Sequence, residues 1–174
     1  KVAEVVRRLG ISKVDTSCTM ALGTTDVTPL EHTSAYAVFA NGGKAVRPYA
    51  ITEIENSRGD VVYSRDRSEP PPRQIFDIKV VSQLNSMLRK VVESGTAQAA
   101  ELDFTNVAGK TGTTSSFKDA WFIGFSGKYV TGIWFGNDDS TPMYQVTGGR
   151  LVAPAAGSRR ERAIARGTRA GRSG

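Results

Sequence analysis

Five consecutive residues form the part of this chain whose chemistry is best suited to holding a substrate. Lys110 carries a point charge, and the hydroxyls of Thr111 and Thr113 can hydrogen-bond a carboxylate. Gly112 has no side chain that would keep another backbone at a distance, and Thr114 ends the run. An apolar stretch precedes the run and an aromatic strand pattern follows it. The pattern predicts a strand edge that binds an anion and presses its backbone against a substrate.

Two other interpretations of this run remain open on local sequence. Gly109-Lys110-Thr111 resembles the end of a phosphate-binding loop, but that loop needs glycine at the position that Phe104 occupies. An ordinary strand with an exposed lysine explains the run as well as a functional strand does. The surrounding sequence therefore has to decide between them.

A second motif, Ser115-Ser116-Phe117-Lys118, matches Ser-x-x-Lys, in which a serine nucleophile starts a helix and a lysine one turn later takes its proton. Here the motif follows Thr114 directly and leads into the next strand. One loop cannot easily supply two walls of the same site, so we interpret the match as coincidental. No Ser-x-Asn tripeptide occurs in the chain.

The net charge of +6 comes from one end of the chain. Residues 150–174 hold seven arginines and one glutamate, whereas the residues before them hold 16 basic and 16 acidic side chains. We interpret 150–174 as a disordered basic tail. Because no aromatic residues are interleaved with its arginines, no nucleic-acid partner is expected.

Metal and disulfide chemistry have little support. His32 and Cys18 are the single histidine and the single cysteine, which excludes a multi-histidine metal site and an internal disulfide. We expect no metal and no cofactor. We expect His32 to be a surface or packing residue of a helix.

Hydrophobic periodicity predicts an α+β fold in which helices flank an antiparallel sheet. The predicted helices span 1–9, 29–40 and 77–94, and the third has an apolar stripe of Val80, Val81, Leu84, Met87, Leu88, Val91 and Val92. Thr28 as N-cap, Pro29 in the first turn and Glu31 two residues later mark the second helix. The predicted strands span 47–55, 61–64, 106–114, 120–125 and 129–135, with an extended connector at 65–73. The aromatic and β-branched content of the last strands predicts a sheet covered on both faces.

Several segments resemble class A penicillin-binding proteins in the expected order. ALGTTDVTPLE (21–31) and AYAVFANGG (35–43) resemble the region between the second and third active-site motifs of that family. VAGKTGTT (107–114) resembles the third motif, and DAWFIGF (119–125) and WFGNDD (134–139) resemble the two strands after it. The similarity covers residues 1–149, and ordered agreement over several motifs is far more specific than any one of them.

The resemblance implies a partial serine β-lactamase/D,D-transpeptidase-like fold and a peptidoglycan D,D-transpeptidase. In that family a serine attacks the D-Ala-D-Ala end of a stem peptide, and an amine from a neighbouring stem peptide resolves the acyl-enzyme. β-Lactam antibiotics acylate the same serine. Stem peptides and β-lactams are therefore the expected partners.

The resemblance also implies roles for the five residues. Lys110 provides positive potential beside the nucleophile, and Thr111 and Thr113 hold the substrate carboxylate. The backbone N–H of Thr113 forms half of the oxyanion hole. Gly112 lets the substrate pair along the strand as an added strand, and Thr114 completes the substrate-binding segment. Trp121 is expected to pack under the sheet.

The resemblance further implies motifs and segments of the parent protein that are not found in this sequence. The Ser-x-x-Lys and Ser-x-Asn motifs are expected before Lys1, which makes 1–149 the C-terminal portion of a transpeptidase domain. The parent protein is expected at the periplasmic face of the bacterial inner membrane, reaching the membrane through upstream parts. The arginine-rich tail differs from the apolar helix of the family and suggests a shifted reading frame. A sheet face built from Trp121, Ile123 or Ile133 would then be partly uncovered.

Three alternatives remain. A β-lactamase or D,D-carboxypeptidase shares Lys-Thr-Gly but lacks a segment like 28–43, which favours the transpeptidase. A non-catalytic sensor of penicillin retains the fold without turnover. A nucleic-acid-binding role would depend on the tail alone.

Overall fold

The computed structural model describes residues 1–156 of the 174-residue chain and has the predicted α+β architecture. Its helices are α1 (Val2–Arg8), α2 (Pro29–Ala40), α3 (Arg65–Ser68) and α4 (Ile78–Glu93). Its strands are β1 (Glu53–Glu55), β2 (Val61–Ser64), β3 (Ala108–Thr113), β4 (Asp119–Ser126) and β5 (Tyr129–Gly136). Short 3₁₀ turns lie at Met20–Leu22, Gln98–Ala100 and Ser115–Phe117, and a π-helical turn covers Gly148–Val152. None of the helices in this part of the chain has both the length and the hydropathy that a bilayer span requires.

The three longest strands form one antiparallel sheet in the order β3-β4-β5. Successive side chains of a strand point to opposite faces. In β4, Phe122 lies on one face with 0% of its surface exposed, and Ile123 lies on the other with 1% exposed. The prediction that this sheet is covered on both faces is therefore confirmed.

Two clusters of apolar side chains pack on opposite faces of the sheet. On the face of Phe122, the main cluster comprises Val92, Ala97, Ala100, Leu102, Val107, Ala120, Phe122, Val152, Ala153 and Ala156. On the other face, Tyr36 and Phe39 of α2 pack against Leu88, Ala108 and Phe125. Strand β3 thus packs against α4, whereas α2 lies over β4 and β5, and β3 remains at one edge of the sheet.

The expectation of a disordered tail from residue 150 is wrong for residues 150–156. Val152, Ala153 and Ala156 are each 0% exposed and belong to the main cluster. Their side chains are small or β-branched, so the helical turn at 148–156 fits closely over Ala120 and Phe122. The uncovered face expected on the sheet is therefore closed by this segment at Phe122, while α2 covers the face of Trp121 and Ile123. The arginines from 159 to 172 lie outside the described residues.

The first hairpin is shorter than predicted. The predicted strand 47–55 is wrong over 47–52, because β1 begins only at Glu53. Its partner β2 has four residues and ends where α3 begins, which leaves no strand opposite 47–52. The extended connector predicted at 65–73 is wrong over Arg65–Ser68, where α3 forms and the N–H of Arg65 donates to the carbonyl of Thr52.

Helix α4 buries a narrower stripe than its sequence predicts. Val81, Leu88 and Val92 are buried, as expected from their spacing. Val80 and Met87 are exposed at 59% and 62%, so their assignment to a buried stripe is wrong. Within residues 1–156, α2 and β3 cover only one side of α4, and these two side chains lie beyond that contact.

Helix α2 begins with the predicted capping box. The Thr28 hydroxyl accepts the N–H of Glu31 at 3.2 Å, and a Glu31 carboxylate oxygen accepts the N–H of Thr28 at 3.4 Å. Glu31 also accepts the Ser12 hydroxyl at 2.6 Å, and this bond is the largest cause of its pKa, which is lowered to about 2. The first turn of α2 is therefore fixed both to its own cap and to the loop at Ser12.

Thr28→Ala is expected to lower the free energy of unfolding by about 1 kcal/mol, because the N–H of Glu31 loses its partner. Urea denaturation of the 174-residue chain measures this loss. Thr28→Ser is the matched control, because it keeps the hydroxyl and should retain most of the stability. Equal losses in the two variants would contradict the capping role.

Candidate active site

Strand β3 is an outer strand, and alternate residues turn their backbone groups away from β4. The N–H of Thr114 donates to the carbonyl of Asp119 at 3.0 Å, so these two residues form a hydrogen-bonded pair. Bonded and non-bonded pairs alternate along an antiparallel ladder. The backbone N–H and C=O of Thr113 and Thr111 therefore face the outer edge, with which no other strand of residues 1–156 pairs.

Lys110 places its charge at this outer edge. Its side chain is exposed, and its Nζ donates to the carbonyl of Thr111 at 2.9 Å. Since that carbonyl faces outward, the ammonium group lies beside the backbone groups that the strand leaves open. A cation and outward N–H groups together favour an anion or a developing negative charge at the edge.

Each of the two threonine hydroxyls is hydrogen-bonded to a residue of another segment. The Thr111 Oγ1 lies 2.7 Å from the Thr96 Oγ1, and the Thr113 Oγ1 accepts the N–H of Gly148 at 3.2 Å. Thr111 and Thr113 lie on the same face of the strand, as their spacing predicts. Nothing in the local pattern pointed to Thr96 or Gly148, because both lie in segments of small and polar residues.

Two glycines allow close packing at the site. A Cβ on Gly112 would lie 3.3 Å from the Trp121 Cβ, tighter than ordinary van der Waals contact. A Cβ on Gly148 would lie 2.3 Å from the Trp121 carbonyl oxygen and 2.7 Å from the Gly112 carbonyl oxygen. The segment at Gly148 therefore lies directly on the backbone of β3 and β4.

The Thr114 side chain makes its hydrogen bonds within the turn between β3 and β4. Its hydroxyl donates to the Asp119 carboxylate at 3.0 Å and accepts the N–H of Asp119 at 2.8 Å. Asp119 in turn accepts the indole N–H of Trp134 at 2.8 Å. The structure thus brings Lys110, Thr111 and Thr113 together at the edge, whereas the side chain of Thr114 closes the turn between β3 and β4.

The Ser-x-x-Lys match lies in that same turn. Ser115–Phe117 is a three-residue 3₁₀ turn, and Ser116 and Phe117 have φ angles of 60° and 57°. No α-helix begins at Ser115, so Lys118 is not presented one helical turn from it. This geometry agrees with the interpretation of the motif as coincidental.

His32 lies behind the site on α2. Its ring contacts the rings of Trp121 and Tyr36 edge-on, with centroids 5.4 and 5.6 Å away. The buried Nδ1 of His32 has no hydrogen-bond partner, and burial lowers the pKa of His32 below its ordinary value of 6.5. Burial therefore favours the neutral form of His32, whose ring packs against the side chain of Trp121 on β4.

The stability of the chain should consequently fall as the pH drops below about 6.5. A histidine whose pKa is lowered by folding binds its proton more readily in the unfolded chain, so acid favours unfolding. His32→Phe keeps an aromatic ring but cannot titrate, and should reduce the loss of stability between pH 7 and pH 5. Urea denaturation at several pH values tests this. Identical pH profiles for the two proteins would show that His32 contributes nothing.

Residues 1–156 hold no group of three or more histidine, cysteine, aspartate or glutamate side chains placed to bind one ion.

Comparison with known proteins shows which family this chain resembles in sequence. The family described as "Penicillin binding protein transpeptidase domain" matches residues 8–147. Penicillin-binding protein 1A of Aquifex aeolicus (strain VF5) is 39% identical over 154 residues, which are 88% of this chain and 21% of that protein. Penicillin-binding protein 4 of Bacillus subtilis (strain 168) is 37% identical over 126 residues, covering 71% of this chain and 20% of that protein. The chain thus spans about a fifth of the length of these curated relatives.

Solved structures agree at the level of the fold. Penicillin-binding protein 1A from Haemophilus influenzae superposes with a TM-score of 0.77 at 24% identity, over 92% of this chain and 30% of that one. PonA1 from Mycobacterium tuberculosis superposes with a TM-score of 0.80 at 19% identity, over 90% of this chain and 48% of that one. The predicted fold class is therefore confirmed. The match over residues 8–147 shows that the chain belongs to the transpeptidase domain family of the penicillin-binding proteins.

Proposed function

We propose that this chain forms the substrate-binding wall of a peptidoglycan D,D-transpeptidase, and that the serine nucleophile and its base lie outside these 174 residues. One observation carries the proposal. The edge of β3 joins an outward N–H at Thr113 with the Lys110 ammonium, which lies 2.9 Å from the outward carbonyl of Thr111. The family match over residues 8–147 supports the same assignment.

The edge of β3 suits an extended peptide that ends in a carboxylate. Such a peptide can pair with the outward backbone groups of Thr111 and Thr113 as an added strand. The hydroxyls of these two residues donate to its C-terminal carboxylate, and the nearby charge of Lys110 favours the anion. A D-Ala-D-Ala stem-peptide terminus has these features.

The reaction then uses the N–H of Thr113. The serine oxygen attacks the carbonyl carbon of the penultimate D-alanine, and the N–H of Thr113 stabilises the negative oxygen of the tetrahedral intermediate. The peptide bond breaks, the last D-alanine leaves with a proton, and an ester to serine remains. The amine of a second stem peptide attacks this ester, forms the cross-linking amide and restores the serine hydroxyl.

A β-lactam fits the same site because it presents a carboxylate and a reactive amide in similar positions. Penicillin-binding protein A from Mycobacterium tuberculosis, which shares this fold with a TM-score of 0.77, was solved as an imipenem acyl-enzyme complex. The chain would act at the periplasmic face of the inner membrane, held there by other parts of the parent protein. A β-lactamase or a sensor is less favoured, because the chain is 39% and 37% identical to relatives named penicillin-binding protein 1A and penicillin-binding protein 4.

The 174-residue chain alone is expected to show no stable labelling by fluorescent penicillin, since the serine nucleophile is proposed to lie outside it. The full-length protein, expressed from the complete reading frame around these residues, should give a fluorescent band on a denaturing gel. Prior incubation with unlabelled penicillin should abolish this band. Sequencing the source DNA should show Ser-x-x-Lys and Ser-x-Asn in frame upstream. Labelling of the chain alone that disappears in Ser115→Ala would assign the nucleophile to Ser115. A full-length protein that resists labelling would overturn the proposed function.

A further inference from the structure

A hydroxyl pair links β3 to the loop that follows α4. The Oγ1 atoms of Thr96 and Thr111 lie 2.7 Å apart, although the residues are 15 positions apart in sequence. This is a hydrogen bond of ordinary length between two hydroxyls, each of which can donate one proton and accept others. The direction of the bond decides what the Thr111 hydroxyl can do at the edge.

The backbone on both sides of Thr96 is held in place. The N–H of Ala97 donates to the carbonyl of Val91 at 3.0 Å, and Ala97 is 0% exposed in the main cluster. On the other side, a Cβ on Gly149 would lie 2.4 Å from the Thr96 carbonyl oxygen, so the C-terminal segment packs directly on Thr96. The Thr96 side chain is exposed but extends from a backbone that is packed on both sides.

Counting protons fixes the direction of the bond when a carboxylate is present. A carboxylate only accepts hydrogen bonds, so Thr111 must use its single proton to hold one. Thr111 can then only accept from Thr96, which must be the donor in the pair. Thr113 follows the same pattern, because its Oγ1 accepts the N–H of Gly148 at 3.2 Å and keeps its proton for the edge.

We propose that Thr96 is a positioning residue that donates to the Thr111 hydroxyl and thereby aims the Thr111 proton at the substrate carboxylate. The inference rests on the proposed function. Without the Thr96 hydroxyl, the Thr111 hydroxyl is free to rotate, and part of the population donates to water or to backbone oxygens instead. Thr96 itself does not touch the substrate.

The test compares two substrates in the full-length transpeptidase. Benzylpenicillin carries the carboxylate, and its methyl ester does not. Thr96→Val removes the hydroxyl at nearly constant shape and should slow acylation by benzylpenicillin by roughly three- to tenfold, the worth of one neutral hydrogen bond. It should leave the slower acylation by the methyl ester unchanged. Thr96→Ser restores the hydroxyl and should restore the rate with benzylpenicillin.

A double-mutant cycle separates positioning from direct contact. Thr111→Val alone should slow acylation by benzylpenicillin, and adding Thr96→Val should cause no further loss, because Thr96 acts through Thr111. Equal slowing of acid and ester by Thr96→Val would indicate a purely structural role and overturn the inference. Multiplicative losses in the double variant would show that Thr96 acts independently of Thr111, which also overturns it.

The experiment distinguishes failure of the proposed transpeptidase function from failure of the proposed role of Thr96. If the unaltered full-length protein is not acylated at all, the proposed transpeptidase function is overturned, and the role of Thr96 with it. If it is acylated normally while Thr96→Val reacts at the unaltered rate with both substrates, only the role of Thr96 is overturned.

Discussion

If the proposed function holds, Thr113→Pro in the full-length protein is expected to slow acylation by benzylpenicillin by roughly 10²–10³-fold, the loss typical of one oxyanion-hole donor. Proline has no backbone N–H, so the variant removes the group that faces the outer edge of β3. That N–H makes no bond to β4, because Thr114 and not Thr113 occupies the bonded position opposite its partner. Proline is tolerated on an edge strand where its missing N–H would face outward.

Thr113→Val is the matched control for this prediction. It removes the hydroxyl as proline does but keeps the backbone N–H, so it isolates the oxyanion contact. Its acylation should be only about tenfold slower, reflecting the loss of one hydrogen bond to the carboxylate. Stopped-flow measurement with a fluorescent penicillin gives both rates. If proline were no slower than valine, the N–H of Thr113 would not stabilise the oxyanion.

The largest expected effect on stability belongs to Gly148→Ala. The added methyl would lie 2.3 Å from the carbonyl oxygen of Trp121 and 2.7 Å from that of Gly112, and both are backbone atoms that cannot rotate away. Either the sheet or the turn at 148–152 must move, which should cost about 3 kcal/mol, at the upper end of the usual cost of overpacking. The same shift would break the bond from the N–H of Gly148 to Thr113.

Gly127→Ala provides the control, because a Cβ there would meet no atom within 4 Å. Its free energy of unfolding should change by less than about 1 kcal/mol in either direction. Urea denaturation of the 174-residue chain, followed by tryptophan fluorescence, compares the two variants. A Gly148 variant as stable as the Gly127 variant would mean that the C-terminal segment does not pack on the sheet as described.

Elements that depend on neighbours in sequence could be predicted from the sequence. The capping box of Thr28 and Glu31 is a contact across three residues, and it formed as predicted. Strands β4 and β5 follow from runs of β-branched and aromatic residues, and the burial of β4 on both faces follows from the same composition. The run from Lys110 to Thr113 was likewise placed on a strand edge by residue type alone.

The predictions are wrong where a segment has a suitable local pattern but no neighbouring element to pair or pack with. Residues 47–52 have strand-like composition, but β2 is too short to pair with them. Val80 and Met87 have helical periodicity, but within residues 1–156 no element covers their side of α4. The segment 150–156 has no strong periodicity, yet Val152, Ala153 and Ala156 fill space that the sheet leaves open.

From the sequence, then, come the candidate site residues, the strand that they occupy and the family that they resemble. Only the tertiary structure decided that the N–H of Thr113 faces the open edge, since this depends on the pairing of β3 with β4. It also decided that Thr96 and Gly148 stand behind the two hydroxyls, across separations of 15 and 35 residues. Such contacts depend on how packed elements meet in space, and no local pattern of residue types encodes that meeting.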